Sequence, residues 1–495
     1  MKKSRIITLL LSFCMLFSFA GCKPPDDLGE VFEDDGEPYE IVYYMVYNDA
    51  NPPSNHYAVQ QQLSKVLKEK INATIKIVPY TLSEYTSKIS GVIGAETKFD
   101  VCFTSPDINP YLTNIQREAF LPLDYLLPTY APETWKAIPE EIWEQTRVNG
   151  KIYGSVNEQI FPRTFGYNAT SAVLIQEFLD EKYNGVKPDE VYTVQPDALQ
   201  FLEEYLSWLK TNGKGSGGKI SSINTDAILQ CYYGFENLGT GMSTPGVVRL
   251  NGDSYEVVNQ YDTDEYREMI DTVYDFKAKG YLDESVSGYD LKPDSNWKPG
   301  YKVDNMIRLS ESRYFCSYVI GTMNAISSTS KNPARAMKFI ELMRTDEEVH
   351  NLLQYGIEDV HYIKDPNNPK RIAEFISGSG YNNANFGWGL GTEFISYLQE
   401  GQEDDLWEEV QEINDTAEIT PFIGFNFDVG NLKQKIADCK ATVNEYKTAF
   451  EQGKFADKDA KYNEFISRLK AAGADEIIAE KQRQLDAFLQ AKGLK

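Results

Sequence analysis

The spacing of apolar positions changes several times along the chain, and each change marks an element. EIVYYMVYN (40–48) is a near-continuous run of β-branched and aromatic residues, which predicts a buried strand. NDANPPSN (48–55) reads as a loop, and from Tyr57 to Ile71 the apolar positions Val59, Leu63, Val66, Leu67 and Ile71 recur at helical spacing. ATIKIVPY (73–80) alternates as a strand, Leu82 to Ile93 repeats as a helix, and FDVCFTSPD (99–107) is a strand running into a proline-containing loop. Strand, helix, strand, helix, strand is the order of a parallel α/β sheet. Ligands of such sheets bind beyond the carboxyl ends of the strands, which puts the loops at 48–55 and 104–110 on a binding edge by topology alone.

Downstream, NGKIYGSVNEQIFPRTFGYN (149–168) is a turn followed by extended chain. Asp197 to Leu209 carries Leu199, Leu202, Leu206 and Leu209 on one helical face, and NGKGSGGK (212–219) is a surface loop. VVRLNGDSYEVV (247–258) predicts a hairpin turning at Asn251-Gly252. Residues 264–282 form an amphipathic helix closing at Gly280, and YFCSYVIGTMNAISSTS (314–330) reads as a strand entering a small-residue turn. Residues 332–356 are expected to be helical throughout, with Asn332 as N-cap and Pro333 at the first helical position. From Leu432 to the end the pattern is helical, broken near Gly453 and Gly473, and Leu485, Phe488 and Leu489 make the last segment amphipathic. Met242, Met306, Met323 and Met343 read as core filler.

At 495 residues the chain exceeds what one core supports, so two lobes are expected. Its formal charge of −25 argues against nucleic acid or an anionic membrane surface as partner. The start sets the address. MKKSR is basic, and Ile6 to Ala20 is an apolar stretch of signal-peptide length, too short to span a bilayer. FSFAGC (17–22) resembles a bacterial lipobox, with Ala20 and Gly21 before an acylated Cys22, although Phe19 stands where Leu is usual. Residues 1–21 are therefore expected to be a signal peptide; losing them removes Lys2, Lys3 and Arg5 and takes the charge to −28. Residues 22–38, acidic and rich in Pro and Gly, read as a lipid-anchored flexible tether holding the protein on the outer face of the cytoplasmic membrane. Cys102, Cys231, Cys316 and Cys439 show no CxxC spacing and read as buried free thiols.

Chemistry of bond-breaking has little support. His350 and His361 flank a pair of acids, Glu358 and Asp359, but the third histidine, His56, is far away in sequence. No HExxH and no Cys/His spacing supports zinc, so His350 reads as a cation near a helix C-terminus and His361 as a packed turn residue. GSG (378–380) lacks the rest of a nucleophile elbow, and GTGMSTPG (239–246) and GWGLG (387–391) lack a nucleotide-loop pattern. Acidic pairs such as Glu140-Glu141 and Glu408-Glu409 are solvated surface in so acidic a chain. No cofactor and no metal site is read from the sequence; calcium at an acidic loop stays open, although no twelve-residue loop pattern is present. The 32 Tyr and six Trp are more informative, because sugars present apolar ring faces beside rims of hydroxyls.

Several stretches together resemble the extracytoplasmic solute-binding proteins of ABC importers, of the large sugar-binding type. GKIYG (150–154) is similar to the family's first crossing between lobes, and SYVIGTMNAISSTSKNPARAMKFIELMRTDEE (317–348) to its return crossing and following helix. LLQYGIEDVHYIK (352–364), TPFIGFNFD (420–428) and RLKAAGADEIIAEKQRQLDAFL (468–489) resemble the DUF3502-type lipoproteins of Gram-positive bacteria, with Asp359-Val360 where Gly-Lys is frequent. The resemblance implies an α/β, two-lobed periplasmic-binding-protein-like (type II) fold with hinge crossovers and an added helical C-terminal region. Lobe one is expected at 39–158 and 322–365. Lobe two is expected at 159–321 and 366–495, including C-terminal helices from about 430 that dock on it.

It also implies a monomeric binding protein that captures an oligosaccharide by hinge closure and delivers it to ABC permease subunits, touching the membrane only through the lipid. The alternatives are another polar solute such as a peptide, for which Arg163 would clamp a carboxylate, a surface carbohydrate-active enzyme, and an adhesin or sensor. For the ligand, lobe one offers Tyr44, Asn48, Ser105, Asp107 and Asn109, and the first crossing Asn157, Glu158 and Phe161. Lobe two offers Tyr167, Tyr232 and Tyr233, and the Gly/Asn loop NNANFGWGLG (382–391) offers Trp388.

Overall fold

A computed structural model describes residues 31–48, 51–250, 254–282, 288–294, 305–417 and 419–495. The expected signal peptide, Cys22, most of the expected tether and the expected Asn251-Gly252 turn lie outside the described residues. Two large apolar cores separate the chain into lobes.

In lobe one the sheet runs in the order Ala73–Thr81, Tyr39–Tyr47, Val101–Thr104, Met323–Ile326, Ser155–Val156. The first three strands are parallel, and Met323–Ile326 returns antiparallel with Met323 opposite Thr104. One edge of the sheet therefore collects the ends that lead into Asn48 and Ser105. The near-continuous apolar pattern of residues 40–47 follows from burial on both faces: Tyr43 packs edge-on to Phe339 on one side, while Tyr85 on the other donates to the Tyr44 carbonyl at 3.0 Å and accepts from Phe103 N at 2.9 Å. Helix His56–Ile71 buries Val59, Leu63, Val66 and Leu67 and stops at Asn72, which takes the left-handed conformation that asparagine tolerates.

Lobe two is built on the antiparallel strands Leu291–Asp294, Gly166–Ala169 and Met306–Arg308, and on a second small sheet that includes Val247–Arg249 and Val257–Val258. Helix Ala198–Thr211 is capped by Asp197 and helix Asp264–Ala278 by Thr263, the side chain of each accepting from a first-turn N–H. Helices Lys433–Glu451, Lys458–Ala472 and Ala474–Ala491 pack on this lobe through Tyr446, Phe450, Phe465 and Ile477, against Tyr261, Tyr266 and Phe276. The fully buried Lys481 fastens the last helix to the 237–246 loop, donating to Thr240 Oγ1 and the Gly246 carbonyl, each at 2.6 Å. Burial pulls its ammonium down to about 7. All four of the methionines read as filler, and Cys102, Cys231, Cys316 and Cys439 as free thiols, are buried.

Five expectations need correction. Residues 332–356 form two helices, Pro333–Thr345 and Glu347–Tyr355, because Asp346 leaves helical geometry and caps the second by accepting from Val349 N. The stretch from Tyr314 opens as a short helix, Cys316–Val319, before the strand begins at Met323. Tyr381, Phe386 and Leu390 pack into the lobe-one core, so the loop after 366 returns to lobe one instead of joining lobe two. The end of the tether is not a free leash: Asp34 pairs with Arg335 and Lys338, each at 2.5 Å, and Tyr130 donates to the Phe32 carbonyl at 2.8 Å. Arg335 is 1 % exposed, and its guanidinium holds the Asp34 carboxyl well below the usual carboxylate range.

The fifth correction concerns His350, which is wholly buried and not a cation. Its Nδ1 faces the Met343 and Leu390 carbonyls at 3.0 and 2.9 Å, while Nε2 lies 2.8 Å from Ser396 Oγ and 3.0 Å from Gln354 Oε1. Burial lowers its pKa below the ordinary histidine value. His361 is the packed turn residue expected, its Nδ1 accepting from Ile357 N at 2.8 Å.

Candidate functional site

The lobes are joined by a ribbon of extended chain. Asn157 N donates to the Thr322 carbonyl at 3.0 Å, and Arg163 and Arg313 exchange backbone hydrogen bonds at 2.8 and 2.9 Å. On the other edge Glu158 N donates to Gly391 O at 2.8 Å, and Asn414 Nδ2 donates to the Gln159 carbonyl at 2.8 Å. Three separate passes of the chain therefore meet between the lobes.

The crossing residues expected to face a ligand lie largely buried inside this ribbon, where Asn157 keeps one unpartnered amide hydrogen donor, Nδ2. Asn157 Oδ1 accepts from Asn324 Nδ2 at 2.7 Å and from Gly391 N at 3.0 Å, and the residue is 1 % exposed. Glu158 pairs with Arg344 at 2.5 Å, both largely buried. Phe161 is buried against Tyr314, ring centroids 5.9 Å apart. These side chains hold the hinge in this conformation; their polarity was legible in the sequence, their partners were not.

On the edge of lobe one, Asn48 is half-buried and bound twice: its N–H donates to Asn383 Oδ1 at 3.0 Å and its Nδ2 to the Asn385 carbonyl at 2.9 Å. Trp388 Nε1 donates to the same carbonyl at 2.8 Å, and its ring packs edge-on to Phe386 and Phe103, centroids 4.4 and 5.7 Å away. The indole stays partly exposed beside Asn48. Ser105 accepts from Ile108 N at 2.8 Å and closes the loop that carries the exposed Asp107. Asn109 stands at φ 56° and is buried: its Nδ2 donates to the Phe103 carbonyl at 2.8 Å, and its Oδ1 accepts from Asn114. Tyr44 is 8 % exposed, stacked on Tyr80 at 5.8 Å. Asn109 and Tyr44 build the edge from beneath.

In lobe two, Tyr167 is fully buried in the central strand, its hydroxyl 3.3 Å from the Ser222 carbonyl, so it has no face to offer a ligand. Tyr232 and Tyr233 end a single π-helical turn, Ile228–Tyr232, with rings 4.8 Å apart and both partly exposed. Tyr233 donates to Glu268 at 3.0 Å. Arg163 lies 4.5 Å over the ring of Tyr318, which points at Gln230. A polar cavity of about 450 Å³ opens where lobe two meets the segment after helix Leu406–Thr416, lined by Tyr192, Arg308, Tyr314, Thr416 and Thr420. Sequence reasoning missed this wall, because nothing in the periodicity brings Tyr192 to Thr420.

The segment 422–427 forms a further link. Gln145, near the end of a lobe-one helix, donates to the Phe425 carbonyl at 3.2 Å and accepts from Gly424 N at 2.6 Å, while Asn426 Nδ2 returns bonds to the Gln145 and Arg147 carbonyls, each at 3.1 Å. Phe422, Phe425 and Phe427 pack with Leu485 and Leu489 of the last helix. Among the described residues no group of three or more His, Cys, Asp or Glu side chains is assembled to hold a metal, and no helix is long and apolar enough to cross a membrane.

Two separately cored α/β lobes on a ribbon of crossing segments are the architecture of the two-lobed, periplasmic-binding-protein-like fold. The comparisons make this more particular. Residues 421–490 match the family described as a domain of unknown function, DUF3502. A carbohydrate ABC transporter substrate-binding protein of Streptococcus pneumoniae serotype 4 is 25 % identical, over 93 % of this chain and 93 % of its own. The N-glycan transport solute binding protein NgtS of S. pneumoniae superimposes with a TM-score of 0.76 at 22 % identity, over 92 % of this chain and 100 % of that one. Its complex with Man5GlcNAc gives 0.66 at 23 %, with the same coverage. An HMO-binding, ABC-transporter-associated solute binding protein from Bifidobacterium longum infantis gives 0.55 at 14 %, over 92 % and 99 %. The chain has the fold of the sugar-binding solute-binding proteins of ABC importers, with a DUF3502 region at its C-terminal end.

Proposed function

We propose that this chain is the substrate-binding subunit of a carbohydrate ABC importer. It captures an oligosaccharide between its lobes and hands it to the permease unaltered. The observation that carries the reading is the hinge: two independent cores joined by the ribbon at Asn157–Thr322, Arg163–Arg313 and Glu158–Gly391. The glycan-bound relative of the same fold supports it. Trp388 and Asn48 on one edge, with Tyr232 and Tyr233 on the other, supply the ring faces and amides that a sugar needs. Closure follows only if the glycan binds the closed form more tightly than the open one.

Small-angle scattering during a glycan titration tests this. The radius of gyration should fall as the glycan saturates the protein; tight binding with no compaction would overturn hinge capture, and sugar products accumulating on long incubation would overturn a binding role. The reading extends to the outer face of the membrane, with Cys22 acylated after cleavage of residues 1–21. Palmitate labelling should vanish in Cys22→Ala, and its persistence would refute the anchor.

A further inference from the structure

Arg163 occupies an unusual position in so acidic a chain. It sits in the crossing between lobes, half-buried, its guanidinium resting on the Tyr318 ring. Among the described residues it has no carboxylate at ion-pair distance, and its Nε is buried without a hydrogen-bond partner. Gln230 faces the same Tyr318: the phenol donates to Gln230 Oε1 at 3.4 Å, while Nε2, on a side chain only 6 % exposed, is left without a partner. Two buried N–H donors thus flank one ring with nothing to accept from them, an arrangement that folded proteins avoid unless something else fills it.

The charged groups around the cluster do not fill it. Glu236 is fully buried and committed to backbone, accepting from Cys316 N at 2.9 Å and Leu238 N at 3.2 Å, and burial pushes its carboxyl up to about 7. Asp226 pairs with Lys447 at 2.5 Å through Oδ2, while its Oδ1 is buried and makes no hydrogen bond to either donor. Arg313 is the backbone partner of Arg163 and adds a second positive side chain to the crossing. A neutral sugar hydroxyl is a poor match here, because it brings a hydrogen of its own that must find an acceptor. A carboxylate only accepts, and a guanidinium is the side chain whose geometry suits it.

We propose that Arg163 and Gln230 form a subsite for a sugar carboxylate, so that the ligand is an acidic glycan carrying a uronic or sialic acid unit at the crossing. This rests on the reading that glycans enter between the lobes. The test is a glycan array holding neutral, sialylated and uronic-acid members, probed with the full chain. The acidic glycan that binds is then titrated calorimetrically beside its methyl ester. The acid should bind about tenfold tighter than the ester at low salt, and the advantage should shrink at high salt. It should fall to less than about threefold in Arg163→Gln and, separately, in Gln230→Leu, while affinity for the ester stays put. Two variants at independent positions guard against one of them misfolding, and melting curves check both. A bound set made only of neutral glycans, or an acid preference that survives in both variants, overturns the subsite and leaves the importer reading standing. Binding of no glycan at all overturns the importer reading and the subsite with it.

Discussion

The polar and aromatic groups that the two lobes bring to the site are held on opposite terms. On lobe one, Asn48 and Trp388 hang from the same carbonyl of Asn385, and Ser105 and Asn109 close their own loop. Nearly every polar atom there is occupied before any ligand arrives, which leaves a ring edge and a fixed surface. On lobe two, Arg163 rests on a ring, Gln230 keeps an idle amide, and Tyr232 and Tyr233 lean on one another. The difference separates two tasks: a pre-set rim pays little ordering entropy on binding and supplies shape, while unused donors supply discrimination.

Four experiments break or sharpen that contrast. The largest effect is expected at Glu158→Ala. It strands the buried Arg344, so the unfolding free energy from urea titration should drop by about 3–5 kcal/mol; a loss below about 1 kcal/mol would mean that the ribbon is not held by this pair. Trp388→Ala should weaken glycan binding by about 1–3 kcal/mol and also lower the urea midpoint, because the ring packs on Phe386 and Phe103; an unaltered affinity would remove the indole from the rim.

Acidification comes next. His350 is neutral in the folded state with its pKa lowered, so below about pH 6.5 the unfolded chain takes up protons that the folded chain resists. The His350 contribution to stability should therefore shrink as pH drops from 7 to 5, against the opposite trend of the buried Glu236 with its carboxyl raised to about 7. Over that range His350→Gln should lose less stability than the unsubstituted chain in melting curves. An identical slope would show that other groups govern it. The smallest effect is Tyr233→Phe, which gives up one partly exposed hydrogen bond to Glu268 and should cost about 0.5 kcal/mol of stability while leaving glycan affinity within twofold. A large affinity loss would move that hydroxyl from scaffold to ligand contact.

What was readable in the chain follows from range. Local periodicity marked helix His56–Ile71 and the parallel strands, because the residues that bury those faces lie within a few turns of each other. The order of strands and helices also placed the loops after Tyr47 and Thr104 on one edge of the lobe-one sheet. Periodicity could not show that Tyr167 lies inside the central strand Gly166–Ala169 with its side chain in the lobe-two core, so its apparent place beside the crossing suggested a ligand contact where the structure has core. Nor could it pair Asp34 with Arg335, 301 positions away, or send Tyr381 and Phe386 back to the first lobe. A Gly/Asn-rich loop has no face of its own, and its destination is decided by partners that the local pattern does not contain.

The interlock of Gln145 and Asn426 changes what a shortened gene product would be. A stop codon near residue 421 looks from the sequence like the trimming of an appendix. It would instead strip amide partners from a helix of the opposite half and leave Val248 and Val257 bare where Phe422, Leu485 and Leu489 had covered them. Such a fragment should clump during expression instead of persisting as a smaller working receptor.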